Sequence, residues 1–233
     1  MRLDIYLSEK NKDLSRSRIS DLIKRGFVLV DGKTINKPGY EVTGNETFEI
    51  LKSDLLASRA GEKLEHAVDV FGISLNGLIV IDVGASTGGF TDFSIKAGAK
   101  HVYAYDVGHD QMVEHLKNHP QVSNFEGTNI LDVAIPLNDL VLIDVSFTSV
   151  FPILKYLKDY TKRILFLLKP QFEAEGQGLN KKGILRDEKV LKRIMEKNTK
   201  TIIEIGFKIK GFTPSPIKGK DGNQEFLFLI ERD

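Results

Sequence analysis

Leu78-Ile79-Val80-Ile81-Asp82-Val83-Gly84-Ala85-Ser86-Thr87-Gly88-Gly89-Phe90 is the stretch that decides the fold. Its first four residues are an apolar run of strand length, and a glycine-rich turn follows at once, ahead of a helical pattern over 91–97. A strand that enters such a turn and opens a helix is where α/β folds hold nucleotides, because glycine lets the backbone approach a ligand. The dinucleotide pattern G-x-G-x-x-G is not met, since Ser86 stands at the second glycine and the spacing is Gly84, Gly88, Gly89. Asp82, just ahead of the loop, repels phosphate but suits the positively charged amino-acid end of S-adenosylmethionine, directly or through water. The expected cofactor loop therefore comprises Asp82, Gly84, Ser86, Gly88, Gly89 and Phe90.

Outward from this unit, apolar strands at 101–105, 140–143 and 163–168 alternate with helical windows at 111–117 and 150–160, which predicts a parallel sheet wound on both faces. After a long helix over 187–205, strands at 208–212 and 225–230 are joined by a Gly/Pro-rich loop and predict an antiparallel edge hairpin. Asp106 ends the second strand, where a carboxylate either accepts the hydroxyls of an adenosine ribose or caps a helix. Asn129, past Phe125, either reads adenine through its amide or is a turn residue. Asp144 and Lys169 follow two apolar strands at the edge where parallel sheets place their chemistry. Pro170 favours an extended backbone at Lys169, so the lysine continues the strand instead of entering a helix. A lysine on such a strand needs a charge partner or a chemical task; Asp144 and Lys169 fit either a structural ion pair or a base and its partner.

Before residue 51 the chain has a different character. Leu3, Ile5, Tyr6 and Leu7 are an apolar stretch, Ser15 caps a helix carrying Ile19, Leu22 and Ile23, and Gly26 ends it. Residues 27–30 read as a strand, Asp31-Gly32 as its turn, and Val42 and 48–50 as further short strands. The expected organisation is a small α+β domain at 1–52, a linker at 53–58 and the α/β domain at 59–233.

Charged residues make up 28% of the 233-residue chain, and 33 Lys plus Arg against 32 Asp plus Glu leave a net charge of +1. Nucleic-acid binding must then be local. Residues 1–37 hold nine Lys or Arg against five Asp or Glu, with Arg16, Arg18, Lys24 and Arg25 on or beside the Ser15-capped helix as candidate phosphate contacts. With no cysteine there are no disulfides and no thiolate metal sites, in keeping with a reducing cytoplasm, and no metal site is expected. The apolar runs are far short of a membrane span, and the first residues lack a signal-peptide core.

Taken together these motifs resemble the TlyA branch of the FtsJ-like RNA 2′-O-ribose methyltransferases, over nearly the whole chain. The resemblance rests on Ser58-Arg59-Ala60-Gly61-Glu62-Lys63-Leu64, the loop from Asp82 to Asp92, Ile143-Asp144-Val145-Ser146-Phe147, Leu168-Lys169-Pro170-Gln171-Phe172-Glu173 and Gly222-Asn223-Gln224-Glu225-Phe226. It implies a class I methyltransferase fold, S-adenosylmethionine as cofactor, and a catalytic tetrad at Lys63, Asp144, Lys169 and Glu225. Taken alone, Lys63 and Glu225 would be surface charges. The stretch from Ser15 to Lys33 is similar to the alpha-L-type RNA-binding module. The implied function is 2′-O-methylation of ribosomal RNA within a ribosomal subunit, at a cytidine, in the cytoplasm, with no membrane and no obligate protein partner. The opening Met1-Arg2-Leu3-Asp4 looks like the short N-terminus that goes with the large subunit. The rivals are a haemolysin-like membrane-active protein and a non-catalytic RNA-binding or ribosome-assembly factor. The basic segment 173–186, with Lys181 and Lys182, either closes on substrate or is an ordinary connection.

Overall fold

The computed structural model of the protein describes residues 1–12, 14–51, 56–219 and 221–232. Of the expected linker, residues 53–55 lie outside the described residues. The N-terminal unit opens with α1 (Leu3–Lys10) and α2 (Arg16–Lys24). Ser15 caps α2 by accepting from the Arg18 N–H at 3.2 Å, and Gly26 leaves the helix at φ 79°. Strands β1 (Val28–Val30), β2 (Lys33–Thr34) and β3 (Phe48–Ile50) form an antiparallel sheet in the order β2-β1-β3. Asp31 and Gly32 both have positive φ, as the tight hairpin turn requires. Leu3, Leu7, Ile19, Leu22, Ile23, Val28 and Val30 close the core of this unit. Val42 belongs to that core but to no strand: its N–H donates to Met1 O at 2.8 Å, so burial and not pairing explains its apolar character.

The second unit begins at α3 (Arg59–Phe71), whose start is capped by Ser58. Then follow β4 (Ile79–Val83), α4 (Gly89–Lys96), β5 (His101–Tyr105), α5 (Glu114–Lys117), β6 (Val122–Phe125), β7 (Leu140–Ile143), α6 (Phe151–Leu157), β8 (Arg163–Leu168), α7 (Pro170–Glu173), α8 (Glu188–Ile205), β9 (Lys208–Pro214) and β10 (Phe226–Glu231). The seven strands run β6-β5-β4-β7-β8-β10-β9, parallel from β6 to β8, with β10 antiparallel to both neighbours. The order reverses between β4 and β7, and it is there that a crevice opens at the carboxyl ends of an open parallel sheet.

Period-two alternation splits the strands between two cores. Val141, Ile143, Ile164, Phe166 and Leu168 face α6 and α8, while Leu140, Leu142, Leu165, Leu167, Leu227 and Leu229 face α3 and α4. Each side chain so buried contributes about 1.5–3 kcal/mol, which holds both helical layers on the sheet. On the second face, α3 and α4 cross at two glycines. A Cβ on Gly61 would meet Gly89 O at 2.8 Å, and one on Gly89 would collide with Ser58 Oγ.

Candidate active site

Three of the four expected catalytic residues are aligned by sheet parity. Asp144 lies two residues beyond Leu142, Lys169 two beyond Leu167, and Glu225 two before Leu227, so all three continue the stripe that faces α3. Because β10 is antiparallel, with Phe226 opposite Leu168, its beginning meets the ends of β7 and β8 at one sheet edge. Lys169 is extended (φ −112°, ψ 95°), as Pro170 requires, and α7 starts directly after it. Lys63 reaches the same point from the buried face of α3.

The result is two ion pairs. Lys63 Nζ donates to Glu225 Oε2 at 2.6 Å, and Lys169 Nζ stands 2.6 Å from Asp144 Oδ1. Lys63, Lys169 and Glu225 are all buried. Removing one partner of such a pair leaves a buried charge and costs about 3–5 kcal/mol. Lys169 Nζ also donates to Ser146 Oγ at 2.7 Å. Together these groups line a chamber of about 320 Å³ with Gly84, Ser86 and Phe90, and Ser17 of α2 forms part of its wall.

Gly84, Ser86, Asp144 and Ser146 also border a second, larger cleft of about 620 Å³, lined further on by Tyr105, Asp106, Gln111, Asn129 and Phe147. Gly84 (φ 83°) allows β4 to touch β7, since a Cβ there would meet Asp144 O at 2.7 Å. Asp106 accepts from the Ser86 N–H at 2.8 Å and the Gly108 N–H at 2.7 Å; it shapes the cleft floor and does not cap a helix. Asn129 caps a 3-10 turn by accepting from the Leu131 N–H at 3.1 Å, while still lining the cleft. Asp82 is fully buried beneath the loop. Its Oδ2 accepts from Thr91 Oγ1 at 2.7 Å, and its Oδ1 has no hydrogen-bond partner among the described residues. Burial pushes this carboxyl up to about 7; the Thr91 hydroxyl opposes the rise, and the charges of Asp144 and Asp106 add to it.

Several expectations need correction. Gly88 and Gly89 do not line the cleft: a Cβ on Gly88 would collide with Leu116, so both glycines admit helices, not ligand. Phe90 is 2% exposed, packed in the core beneath the chamber, and not on the cleft wall. Arg18 does not face solvent. Its side chain is 1% exposed and reaches across to α3, where Nη2 donates to Glu62 Oε1 at 2.7 Å. Arg25 meets the same carboxylate at 3.1 Å. Burial raises Glu62, but the Arg25 and Arg18 guanidiniums outweigh it and hold the carboxyl below its usual range. Arg16 and Lys24 remain exposed, Arg16 in contact with Asp4. Lys181 and Lys182 are exposed on a turn closed by the Leu179–Leu185 bridge and clamped by buried Asn223, which accepts from the Leu185 N–H and donates to Gly183 O.

Sequence reasoning missed Ser146 and Phe147, although both lie in the quoted Ile143 to Phe147 segment. Phe147 is 92% exposed at the cleft, adopts φ 63°, and packs at 5.5 Å on Phe172. A bulky residue held in left-handed backbone conformation is strained, and such strain collects at functional sites. It also missed Glu126, which accepts from the backbone N–H groups of Asp110, Gln111 and Met112 and ties down the cleft rim.

A switch-point cleft joined to a lysine–carboxylate chamber defines a Rossmann-like methyltransferase with a small N-terminal module. Residues 56–232 match the FtsJ-like methyltransferase family and residues 1–48 match the S4 domain. The chain belongs to the FtsJ-like methyltransferase family. It is 41% identical to "Hemolysin A" of Brachyspira hyodysenteriae, across 99% of this chain and 100% of that one. It is 34% identical to "16S/23S rRNA (cytidine-2'-O)-methyltransferase TlyA" of Mycobacterium tuberculosis, across 98% and 89%. A solved Streptococcus thermophilus chain carrying a hemolysin name superimposes with a TM-score of 0.78 at 34% identity, covering 100% of this chain and 88% of that one. Among the described residues no helix is long and apolar enough to cross a membrane.

Proposed function

We propose that the protein transfers a methyl group from S-adenosylmethionine to a ribose 2′-hydroxyl of ribosomal RNA, at a cytidine, in the cytoplasm. The observation that carries this reading is the meeting of the two buried ion pairs with the switch-point cleft at Gly84, Ser86, Asp144 and Ser146. Asp106 and Asn129 line the cleft, and Asp82, outside its lining, keeps an orphaned carboxylate oxygen beneath the loop that a cofactor ammonium can address through water. Bound there, S-adenosylmethionine supplies an electrophilic methyl on a sulfonium.

The chain's own residues prepare the nucleophile. A ribose hydroxyl attacks poorly until it loses its proton in line with the methyl. Lys169 Nζ is the base placed to take that proton, and Asp144 and Ser146 fix the nitrogen in position. Lys63 and Glu225 close the chamber and keep its charge balanced. Phe147 presents an exposed ring at the cleft mouth, against which an extruded base can stack. The S4 module, through exposed Arg16 and Lys24, and the turn bearing Lys181 and Lys182 supply phosphate contacts.

The test is methyl transfer from labelled S-adenosylmethionine to purified small and large ribosomal subunits, with the product mapped by ribose-methylation-sensitive sequencing. The expected result is label at a defined 2′-O-methyl nucleotide, lost in Lys169→Ala and reduced about tenfold or more in Phe147→Ala, a base–aromatic stack being worth roughly 1–3 kcal/mol. No transfer to either subunit, with cofactor binding intact, would refute the ribosomal substrate.

A further inference from the structure

Charges on α2 and α3 interleave across the junction of the two units. Arg18, Asp21 and Arg25 occupy one face of α2 and its C-cap, and Arg59 and Glu62 stand one turn apart on α3. Glu62 receives Arg18 at 2.7 Å and Arg25 at 3.1 Å, while Arg59 stands 3.7 Å from Asp21. Asp21 also binds Arg18 at 3.2 Å and Arg25 at 3.4 Å. Sliding α2 along α3 by one helical turn would set Asp21 against Glu62 and an arginine against Arg59. Opposite charges therefore meet in a single register, and like charges oppose the neighbouring ones.

Two features set this contact apart from an ordinary surface pair. Its Arg18–Glu62 half is withdrawn from water, with side-chain exposures of 1% and 10%, while Arg25 at 34% forms its rim, so that half escapes the screening that makes exposed pairs nearly worthless. It also borders the chemistry: Glu62 precedes Lys63, and Ser17, which precedes Arg18, lines the chamber that holds Lys63, Asp144, Lys169 and Glu225.

We propose that Glu62 is a positioning residue: the Arg18–Glu62–Arg25 clasp fixes the N-terminal module on the helix that carries Lys63 and makes that module one wall of the methyl-transfer chamber. The inference rests on the function proposed above. RNA held by the module is thereby presented at a fixed distance from Lys169, and the guanidinium of Arg18 serves alignment, not phosphate contact.

The absence of cysteine allows a direct test on the full chain. Spin labels on Glu9→Cys and Asp69→Cys, both exposed, report the separation of α1 from α3, and Glu62→Gln removes the clasp charge at constant shape. The expected result is a broadened label distance and a tenfold or greater fall in single-turnover methyl transfer, with RNA and cofactor affinities within twofold of wild type. Glu62→Asp, which keeps the charge but shortens the reach, should fall between the two and covers the case in which Glu62→Gln does not fold. Unchanged distances and turnover in both variants would overturn the proposal. So would a loss of turnover matched by an equal loss of RNA affinity, which would make these residues RNA contacts. If the wild type methylates neither ribosomal subunit, the substrate reading fails, and the label distances alone decide the clasp.

Discussion

Asp82 illustrates how the burial of a single residue couples stability to pH. Its carboxyl titrates near 3.9 in an unfolded chain and is pushed up to about 7 by burial in the fold. The folded state then holds the proton more tightly, so the stability from neutral Asp82 is full below about pH 4 and is lost as pH rises through 7. Asp82→Asn, which cannot ionise, should gain in melting temperature relative to wild type between pH 5 and pH 8. An ammonium placed near Oδ1 favours the ionised form, so cofactor affinity in the wild type should rise from pH 6 to pH 8 and be flat in Asp82→Asn. Calorimetric titration at the two pH values checks this, and parallel profiles would remove Asp82 from the cofactor site. The residue was legible in sequence as an acid before a glycine loop. Its burial, and its hydrogen bond to Thr91, were not, because they depend on α4 packing over the strand.

At the scale of elements, helix crossings explain what the glycine pattern left ambiguous. Gly84, Gly88 and Gly89 look alike along the chain, yet the first allows two strands to touch, the second admits α5 and the third admits α3. Gly89→Ala should destabilise the fold by about 1–3 kcal/mol, the usual cost of overpacking, and lower turnover by displacing α3 and Lys63. Thermal denaturation and single-turnover transfer would show both, whereas unchanged stability would mean that Ser58 yields freely. Strand positions 101–105, 140–143 and 163–168 were readable because buried parallel strands are continuous apolar runs. Val42 was misread because a buried apolar residue in a loop carries the same signature as one in a short strand. Arg18 was misread for the opposite reason: a cation on a short helix gives no sign that a carboxylate on another unit awaits it.

For the whole molecule, the sequence carried the order of the proposed catalytic residues but not their assembly, which depends on the ends of β7 and β8 and the start of β10 sharing one parity and on α3 lying across them. The near-neutral chain also makes its RNA contacts local. Reversing charge at Lys181 and Lys182 should weaken RNA binding, flatten its salt dependence by about two phosphate contacts and leave cofactor affinity unchanged. Filter binding across a salt series checks this; unchanged RNA affinity would reduce the 179–185 turn to a connection. The clamp from Asn223 sits two residues before Glu225, so the turn and the tetrad share one support.

The pair Lys63–Glu225 joins residues 162 positions apart. A contact of that separation pays its loop-closure entropy late and forms after the local structure around it. During synthesis Lys63 emerges long before its carboxylate exists, and the sheet cannot accept β10 until β8 is in place. Under the proposed function the chain therefore stays inert until residue 225 has been made and β10 has joined the sheet. A fragment ending before β10 would hold the residues that line the cleft and lack the carboxylate that closes the chamber.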